Sequence, residues 1–245
     1  MSLWKTLILT LTTSLSLNNA CASMTSTSPV PPGGDNERAS DGYPDEWWKP
    51  VPAEDLASWE IGPQAANRAK GEVILSKRNE LGMLSNFQAA PFTFEGRKYA
   101  SIEGLWQSLK YPEGPNDERL ADPTVKWPFT RDQVENMSAF EAKDAGKVAS
   151  ANMKKLNIKW VTHKGKKIFY SAPGAGQQEY YEMIFKATVE KVLQNEPVKT
   201  VLLKTGSLNL LPDHAQDPNS GPAYGYFKIA MKIRKALQDG VEPKP

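Results

Sequence analysis

Apolar residues recur every three or four positions in three separate stretches of the second half of this chain. Such spacing places them on one face of an α-helix, so each stretch predicts an amphipathic helix. The stretches lie at residues 142–156, 181–195 and 226–237. Between the last two, a short helix is expected to begin at Pro197 and to close at Gly206, because proline suits a first helical turn and glycine a left-handed helix end.

Strand signals are few and short. The apolar run 73–75 predicts a strand, and residues 92–94 and 97–99 flank Glu95-Gly96, which predicts a tight hairpin with Gly96 in the left-handed conformation. A further helix is expected from Ser101, a good N-cap, to about Lys110, ahead of Pro112. Residues 112–131 are rich in Pro, Asp and Asn and predict a long loop. Strands and helices do not alternate, so the pattern predicts an α+β fold in a single compact domain, mostly helical with a few short strands.

The N-terminus differs in composition from the rest of the chain. Lys5 precedes an apolar stretch at residues 7–17, and residues 20–22 fit a small-residue cleavage site, so residues 1–22 predict a signal peptide and an exported, periplasmic or secreted protein. The stretch is short for a transmembrane span. In a lipoprotein alternative Cys21 would carry the lipid anchor, although Asn18 stands where a lipobox has leucine. An uncleaved segment in a cytoplasmic protein is the remaining alternative.

Residues 23–45 are rich in Ser, Thr, Pro and Gly and predict a disordered linker. The folded domain is therefore expected over residues 46–245, with its core at about 59–240. Trp47, Trp48 and Trp59 are expected to pack on the surface of that domain as an N-terminal extension, rather than to form a carbohydrate or lipid patch.

Composition excludes several classes of site. The 30 basic and 28 acidic residues balance to a net charge of +2, which gives no argument for a polyanionic or membrane-surface partner. Cys21 is the only cysteine, so a mature domain lacks disulfides and thiolate metal sites. His163 and His214 lie far apart, which argues against a His-rich metal centre, and both are expected in surface loops. The sequence also lacks a Gly-rich phosphate loop, so neither a cofactor nor a metal is expected.

The helix expected at residues 101–110 carries a polar stripe. At about 100° per residue, Glu103, Gln107 and Lys110 fall within a narrow arc, and Trp106 lies at its edge. These side chains would line a cleft beside Trp106, unless the helix is an ordinary amphipathic one whose stripe faces water. The first-turn position of Glu103 favours its ionised form, which suits a group that activates water or stabilises positive charge. Lys110 has two candidate roles, as a phosphate-binding charge or as a nucleophile that forms a Schiff base.

Ordered fragments over about 150 residues resemble the signature of the NADAR/YbiA-like N-glycosidase family. Ser85-Asn86-Phe87 and the segment 101–111 resemble its S-N-F and E-H-x-x-Q-A-x-K-F motifs. Residues 191–195, 201–206 and 231–234 are similar to its K-F-x-Q-N, L-L-x-T-G and L-M-x-[LI]-R blocks. The resemblance implies a compact α+β fold and hydrolysis of N-glycosidic bonds in phosphorylated ribosyl compounds or in ADP-ribosylated guanine.

The resemblance also implies roles for individual residues. Glu103 would be the catalytic carboxylate, and Lys110 the ribose- or phosphate-contacting lysine and candidate nucleophile. Asn86 and Gln107 would orient the sugar, and Asp217 would match the aspartate of the family's D-x-x-W-G segment.

Several positions depart from the family pattern. Gly104 replaces the usual histidine, Ser108 an alanine, and Ser220 the tryptophan. Loss of that tryptophan removes a surface for the base, for which Tyr224, Tyr226 or Trp106 could substitute.

Three functions are therefore compared. The first is an N-glycosidase acting on a ribosylated nucleobase or ADP-ribosyl compound, with nucleic acid a partner only as a modified substrate. The second is an inactive module that binds ADP-ribose or a nucleotide-sugar at the cell envelope, which the altered segment after Asp217 favours. The third is a surface interaction protein that reuses the fold.

Export predicts a shortened chain. If a signal peptidase cuts after Ala22, the mass of the protein recovered from the envelope or medium will correspond to a chain that begins at Ser23. An intact Met1 on protein recovered from the cytosol would contradict the export hypothesis.

Overall fold

The computed structural model describes residues 41–171 and 173–245, and the fold of this part is α+β. Short strands pair two by two, and helices make up most of the remaining regular structure. The helices are α1 (Ile102–Ser108), α2 (Arg131–Glu135), α3 (Ala139–Lys155), α4 (Ala175–Gln194), α5 (Glu196–Lys204) and α6 (Tyr226–Gln238). The strands are β1 (Glu72–Ile74), β2 (Phe92–Phe94), β3 (Arg97–Tyr99), β4 (Val161–His163), β5 (Lys166–Ile168) and β6 (Asn209–Leu211).

Local sequence signals set the elements nearest to α1. The Ser101 side chain accepts a hydrogen bond from the Gly104 amide at 2.8 Å, which confirms the predicted N-cap. Strands β2 and β3 form the predicted hairpin, with Phe92 opposite Tyr99. At its turn Glu95 and Gly96 have φ of 48° and 84°, so the glycine takes the expected left-handed conformation.

Other elements were missing from the sequence prediction. Strand β6 pairs in parallel with β1, and β4 forms an antiparallel hairpin with β5. Each of these strands has three residues, too few for an alternating pattern to stand out. His163 therefore lies on a strand rather than in a loop, where its ring nitrogen Nε2 lies 2.7 Å from Glu95 Oε2.

The N-terminal boundary of the folded unit also differs from the prediction. Residues 41–245 form one unit, and Arg68 binds Asp41 and Asp45, each at 2.6 Å, although both aspartates were expected in the linker. Trp47 is 1% exposed and its indole N–H donates to Glu80 at 2.9 Å, so the predicted surface packing of this residue is wrong. The sequence does not predict this burial, because the acceptor for the indole N–H, Glu80, comes close to Trp47 only in the fold.

The predicted signal peptide, Cys21 and most of the predicted linker lie outside the described residues. Within residues 41–171 and 173–245, no helix is both long and apolar enough to cross a bilayer.

Helix α1 packs against α2, α3 and α4, and all of its residues are buried. At Gly104 the helix lies close to neighbouring backbone, because a side-chain Cβ there would lie 2.4 Å from the Met137 carbonyl oxygen and 3.1 Å from that of Val134. No larger residue fits at position 104 unless the backbone moves. This gives a physical reason for glycine at a position where the family that the sequence resembles has histidine.

Gly104→Ala should therefore destabilise the fold. The added methyl group overlaps rigid carbonyls, and overpacking of this kind typically costs about 1–3 kcal/mol. The control is Gly114→Ala, since a Cβ at Gly114 meets nothing within 4 Å. Urea unfolding of both variants tests this, and equal midpoints for them would contradict the close packing of α1.

Candidate active site

A cavity of about 320 Å³ lies beside α1. Its walls come from α1, the segment 85–87, the start of α3 and the segment that leads into α6, with single residues from the N-terminal part of the domain. The lining residues are Trp59, Lys77, Ser85, Asn86, Phe87, Glu103, Trp106, Gln107, Phe140, Lys143, His214, Gln216, Tyr224 and Tyr226.

Five of the seven residues predicted from the sequence line this cavity: Asn86, Glu103, Trp106, Gln107 and Tyr224.

The other two predicted residues, Lys110 and Asp217, lie elsewhere. Lys110 donates to the Ser150 hydroxyl at 3.0 Å, on the side of α1 that faces α3. Asp217 is exposed, and its carboxylate accepts from the Asn219 amide at 2.9 Å. Neither side chain is therefore placed to contact a ligand in the cavity.

Glu103 is the carboxylate of the cavity and is only 8% exposed. Its Oε1 accepts from Gln107 Nε2 at 2.8 Å, and its backbone N–H donates to the Asn86 carbonyl at 3.0 Å. Burial raises the pKa of Glu103, although the Gln107 hydrogen bond and the charges of nearby lysines act to lower it. This shift of the pKa is opposite to the one expected from the position of Glu103 in the first helical turn. The loss of hydration, which raises the pKa, outweighs the effect of the helix dipole, which lowers it.

Gln107 is held in place by the close approach of α3. Its Oε1 would lie 1.8 Å from a Cβ on Gly146, so only glycine leaves room for the amide. Among the described residues, this Oε1 is a buried side-chain atom without a hydrogen-bond partner. The amide thus has one anchor, and that anchor is Glu103.

The charges of three lysines act on the Glu103 carboxylate: Lys110, Lys143 and Lys77. Burial lowers the pKa of Lys110, while the charge of Glu103 acts to raise it. In the cavity wall, Lys77 forms an ion pair with the buried carboxylate of Asp213. The ammonium of Lys143 lies 5.5 Å from the Phe87 ring centroid. The cavity therefore combines one buried carboxylate with two cationic groups.

A second polar group consists of Asp213, His214 and Tyr226, and sequence reasoning missed the first two of these as site residues. His214 was expected in a surface loop, yet its ring lines the cavity, with Nδ1 2.8 Å from Asp213 Oδ1. The ring is also stacked on Tyr226 at 6.1 Å and 6°. Although burial acts to raise the pKa of Asp213, its bonds with His214 and Lys77 hold that pKa below its ordinary value. The sequence signal that could have indicated this group is the adjacent Asp213 and His214, which follow shortly after strand β6.

The Asp213 contact leaves the other ring nitrogen of His214, Nε2, available to exchange a proton with a ligand. In the part of the chain that the structure describes, no group of three or more His, Cys, Asp and Glu side chains could hold a metal ion.

Lys191 supports the segment that presents Ser85 and Asn86. It is fully buried on α4, and its Nζ donates to the Met83 and Ser85 carbonyls at 3.0 and 2.7 Å. Burial lowers the pKa of Lys191 to about 7. A neutral amine has two N–H donors, which match the two carbonyls, whereas an ammonium has three.

No protein-family profile and no curated protein matches the sequence. The solved NMR structure of the E. coli protein YbiA is similar to this chain with a TM-score of 0.42 and 17% identity, over 68% of this chain and 86% of that one. A similarity of this extent carries no functional argument.

The buried amine of Lys191 predicts a pH-dependent stability. The folded-state pKa of about 7 lies below the ordinary lysine value of 10.5, so the unfolded chain binds more protons between these values. The free energy of unfolding should therefore gain about 2 kcal/mol from this group between pH 7 and pH 9.

Urea unfolding of the wild type and of Lys191→Met at both pH values measures this gain. The variant should lack it, whereas Lys199→Met, which alters a partly exposed lysine on α5, should keep it. The same change in stability in wild type and Lys191→Met would show that Lys191 does not titrate in this range.

Proposed function

We propose that this protein hydrolyses the N-glycosidic bond of a ribosylated nucleobase or ADP-ribosyl compound, with Glu103 as the catalytic carboxylate. The observation that carries the proposal is the burial of Glu103 in a cavity that also holds two lysines and several aromatic rings. A ribosyl compound of this kind offers a sugar to the carboxylate, a planar base to the rings and phosphate groups to the lysines.

The chemistry follows from the position of the carboxylate. When the bond between C1′ and the base nitrogen breaks, its electron pair leaves with the base and positive charge develops on C1′ and the ring oxygen. An ionised Glu103 stabilises that charge. Because burial raises its pKa, ionised Glu103 is also a stronger proton acceptor than a carboxylate in water. Water then bonds to C1′ and gives its proton to Glu103.

The departing base needs a proton, and His214 is the candidate donor. Its ring lines the cavity and is oriented by Asp213 through Nδ1, which leaves Nε2 for the base. In this scheme Lys110 acts through its charge on Glu103 rather than as a nucleophile, because its ammonium is bonded to Ser150.

One observation favours the alternative of a binding module without activity. Asp217 and Ser220, which match family positions in the resemblance, are exposed and do not line the cavity, although Gln216 and Tyr224 on either side of them do. The lysines and aromatic rings would still suffice to bind a nucleotide-sugar.

Base release by the full chain distinguishes the two functions. Ribosylated nucleobase phosphates and ADP-ribosyl-guanine oligonucleotides are incubated with the protein, and released base is measured by chromatography. The wild type should release base, and Glu103→Gln should lower the rate at least about 100-fold, the usual minimum effect of losing an acid–base group. Glu141→Gln, an exposed change near the start of α3, is the control.

Equal rates in wild type and Glu103→Gln would refute the carboxylate role, and binding without release would support the inactive module. Borohydride trapping of an adduct on Lys110 would contradict direct attack by water.

A further inference from the structure

Three aromatic rings line one part of the cavity wall and are joined through Phe140, and we name them the rim cluster: Trp59, Phe87 and Phe140. Phe140 packs edge-on against Phe87 at 5.3 Å and against Trp59 at 6.4 Å. Trp59 is 44% exposed and Phe140 50% exposed, so both rings present apolar surface to solvent beside the cavity. Isolated exposed rings are ordinary, but a contiguous set at a cavity marks a binding surface.

Two lysines accompany the same rings. The ammonium of Lys77 lies 5.3 Å from the centroids of both Trp59 and Phe87. The ammonium of Lys143 lies 5.5 Å from Phe87 and 5.8 Å from Phe140. Apolar rings with cationic groups at their faces suit a ligand that has a planar ring next to negative charge.

A strained backbone conformation helps to hold the rim cluster in place. Ala139 has φ of 49°, a left-handed conformation that is unfavourable for alanine, and its amide donates to the Phe87 carbonyl at 3.1 Å. This contact joins the backbone beside Phe140 to that of Phe87.

Trp59 is held by its neighbour Glu60. Arg78 donates to both carboxylate oxygens of Glu60, at 2.6 and 2.7 Å, and the backbone of Glu60 pairs with that of His214 in an isolated antiparallel β-bridge.

A second aromatic pair lines the same cavity. Trp106, three residues after Glu103 on α1, packs edge-on against Tyr224 at 4.9 Å. Within residues 41–171 and 173–245, no ring contact joins this pair to the rim cluster. The cavity therefore offers two aromatic surfaces, the Trp106–Tyr224 pair and the rim cluster, and Lys77 and Lys143 lie against rings of the rim cluster.

We infer that the rim cluster is a second base-binding subsite, at which Trp59 and Phe140 stack a nucleobase carried on a phosphate or diphosphate that Lys77 and Lys143 contact. The inference rests on the proposed function and narrows its substrate class. A substrate with one base at the glycosidic bond and a second beyond a phosphate linkage is preferred to a simple ribosyl phosphate. Trp59 comes from the N-terminal segment, ahead of the fragments that carry the family resemblance.

Direct binding tests this subsite without turnover. The full chain with Glu103→Gln is titrated with ADP, with ribose 5-phosphate and with a single-stranded trinucleotide, by calorimetry. ADP should bind more tightly than ribose 5-phosphate. Trp59→Ala in the same background should weaken ADP about tenfold or more, as expected for one lost base–aromatic stack, and leave ribose 5-phosphate unchanged. Trp59→Phe should retain most of the affinity.

The matched control is Phe169→Ala, which removes an exposed aromatic ring outside the cavity and should not affect ADP. If the trinucleotide rather than ADP depends on Trp59, the second base belongs to a neighbouring nucleotide and the subsite is supported. The inference fails if neither ligand depends on Trp59, or if Trp59→Ala weakens ribose 5-phosphate as much as ADP. Trp59-dependent binding without base release by the wild type would refute the proposed hydrolysis alone.

Discussion

The close approach of α1 to the backbone of residues 134–137 is the contact on which the rest of the site depends. Gly104 leaves no space between the helix and the Met137 carbonyl, and Ser101, which caps α1, donates its hydroxyl to the same carbonyl at 3.0 Å. With α3 and α4 packed on other sides, α1 is buried along its length. Glu103 therefore loses water, and its chemistry is set by the few groups that remain around it.

Several of those groups are positioned by residues that do not line the cavity. Asp213 anchors Lys77 and orients His214, Gly146 leaves room for Gln107, and Lys191 fixes the carbonyls on either side of Leu84. Such support reduces the reorganisation needed when a ligand binds, which is the usual basis of an efficient polar site. It also explains why functional side chains can come from short segments that lack regular structure.

Local signals predicted α1, the β2–β3 hairpin and the longer helices, because a cap, a Gly turn and a repeated apolar spacing act over a few residues. The helical projection correctly grouped Glu103 with Gln107, but it was extended too far. Lys110 lies two residues beyond the end of α1 at Ser108, and its ammonium is bonded to Ser150 on α3 and does not line the cavity. Asp217 was placed by motif alignment alone, and it is exposed and does not line the cavity.

The sequence by itself determined which stretches become helices, where the hairpin turns and which carboxylate sits beside Trp106. Only the tertiary structure decided that Trp47 enters the core, that Trp59 and His214 line the cavity, and that burial raises rather than lowers the pKa of Glu103. The physical reason is the separation along the chain over which each kind of interaction acts. Caps, turns and helical periodicity are interactions between near neighbours in the chain, whereas desolvation and hydrogen-bond partners come from residues that are distant in sequence and meet only in the fold.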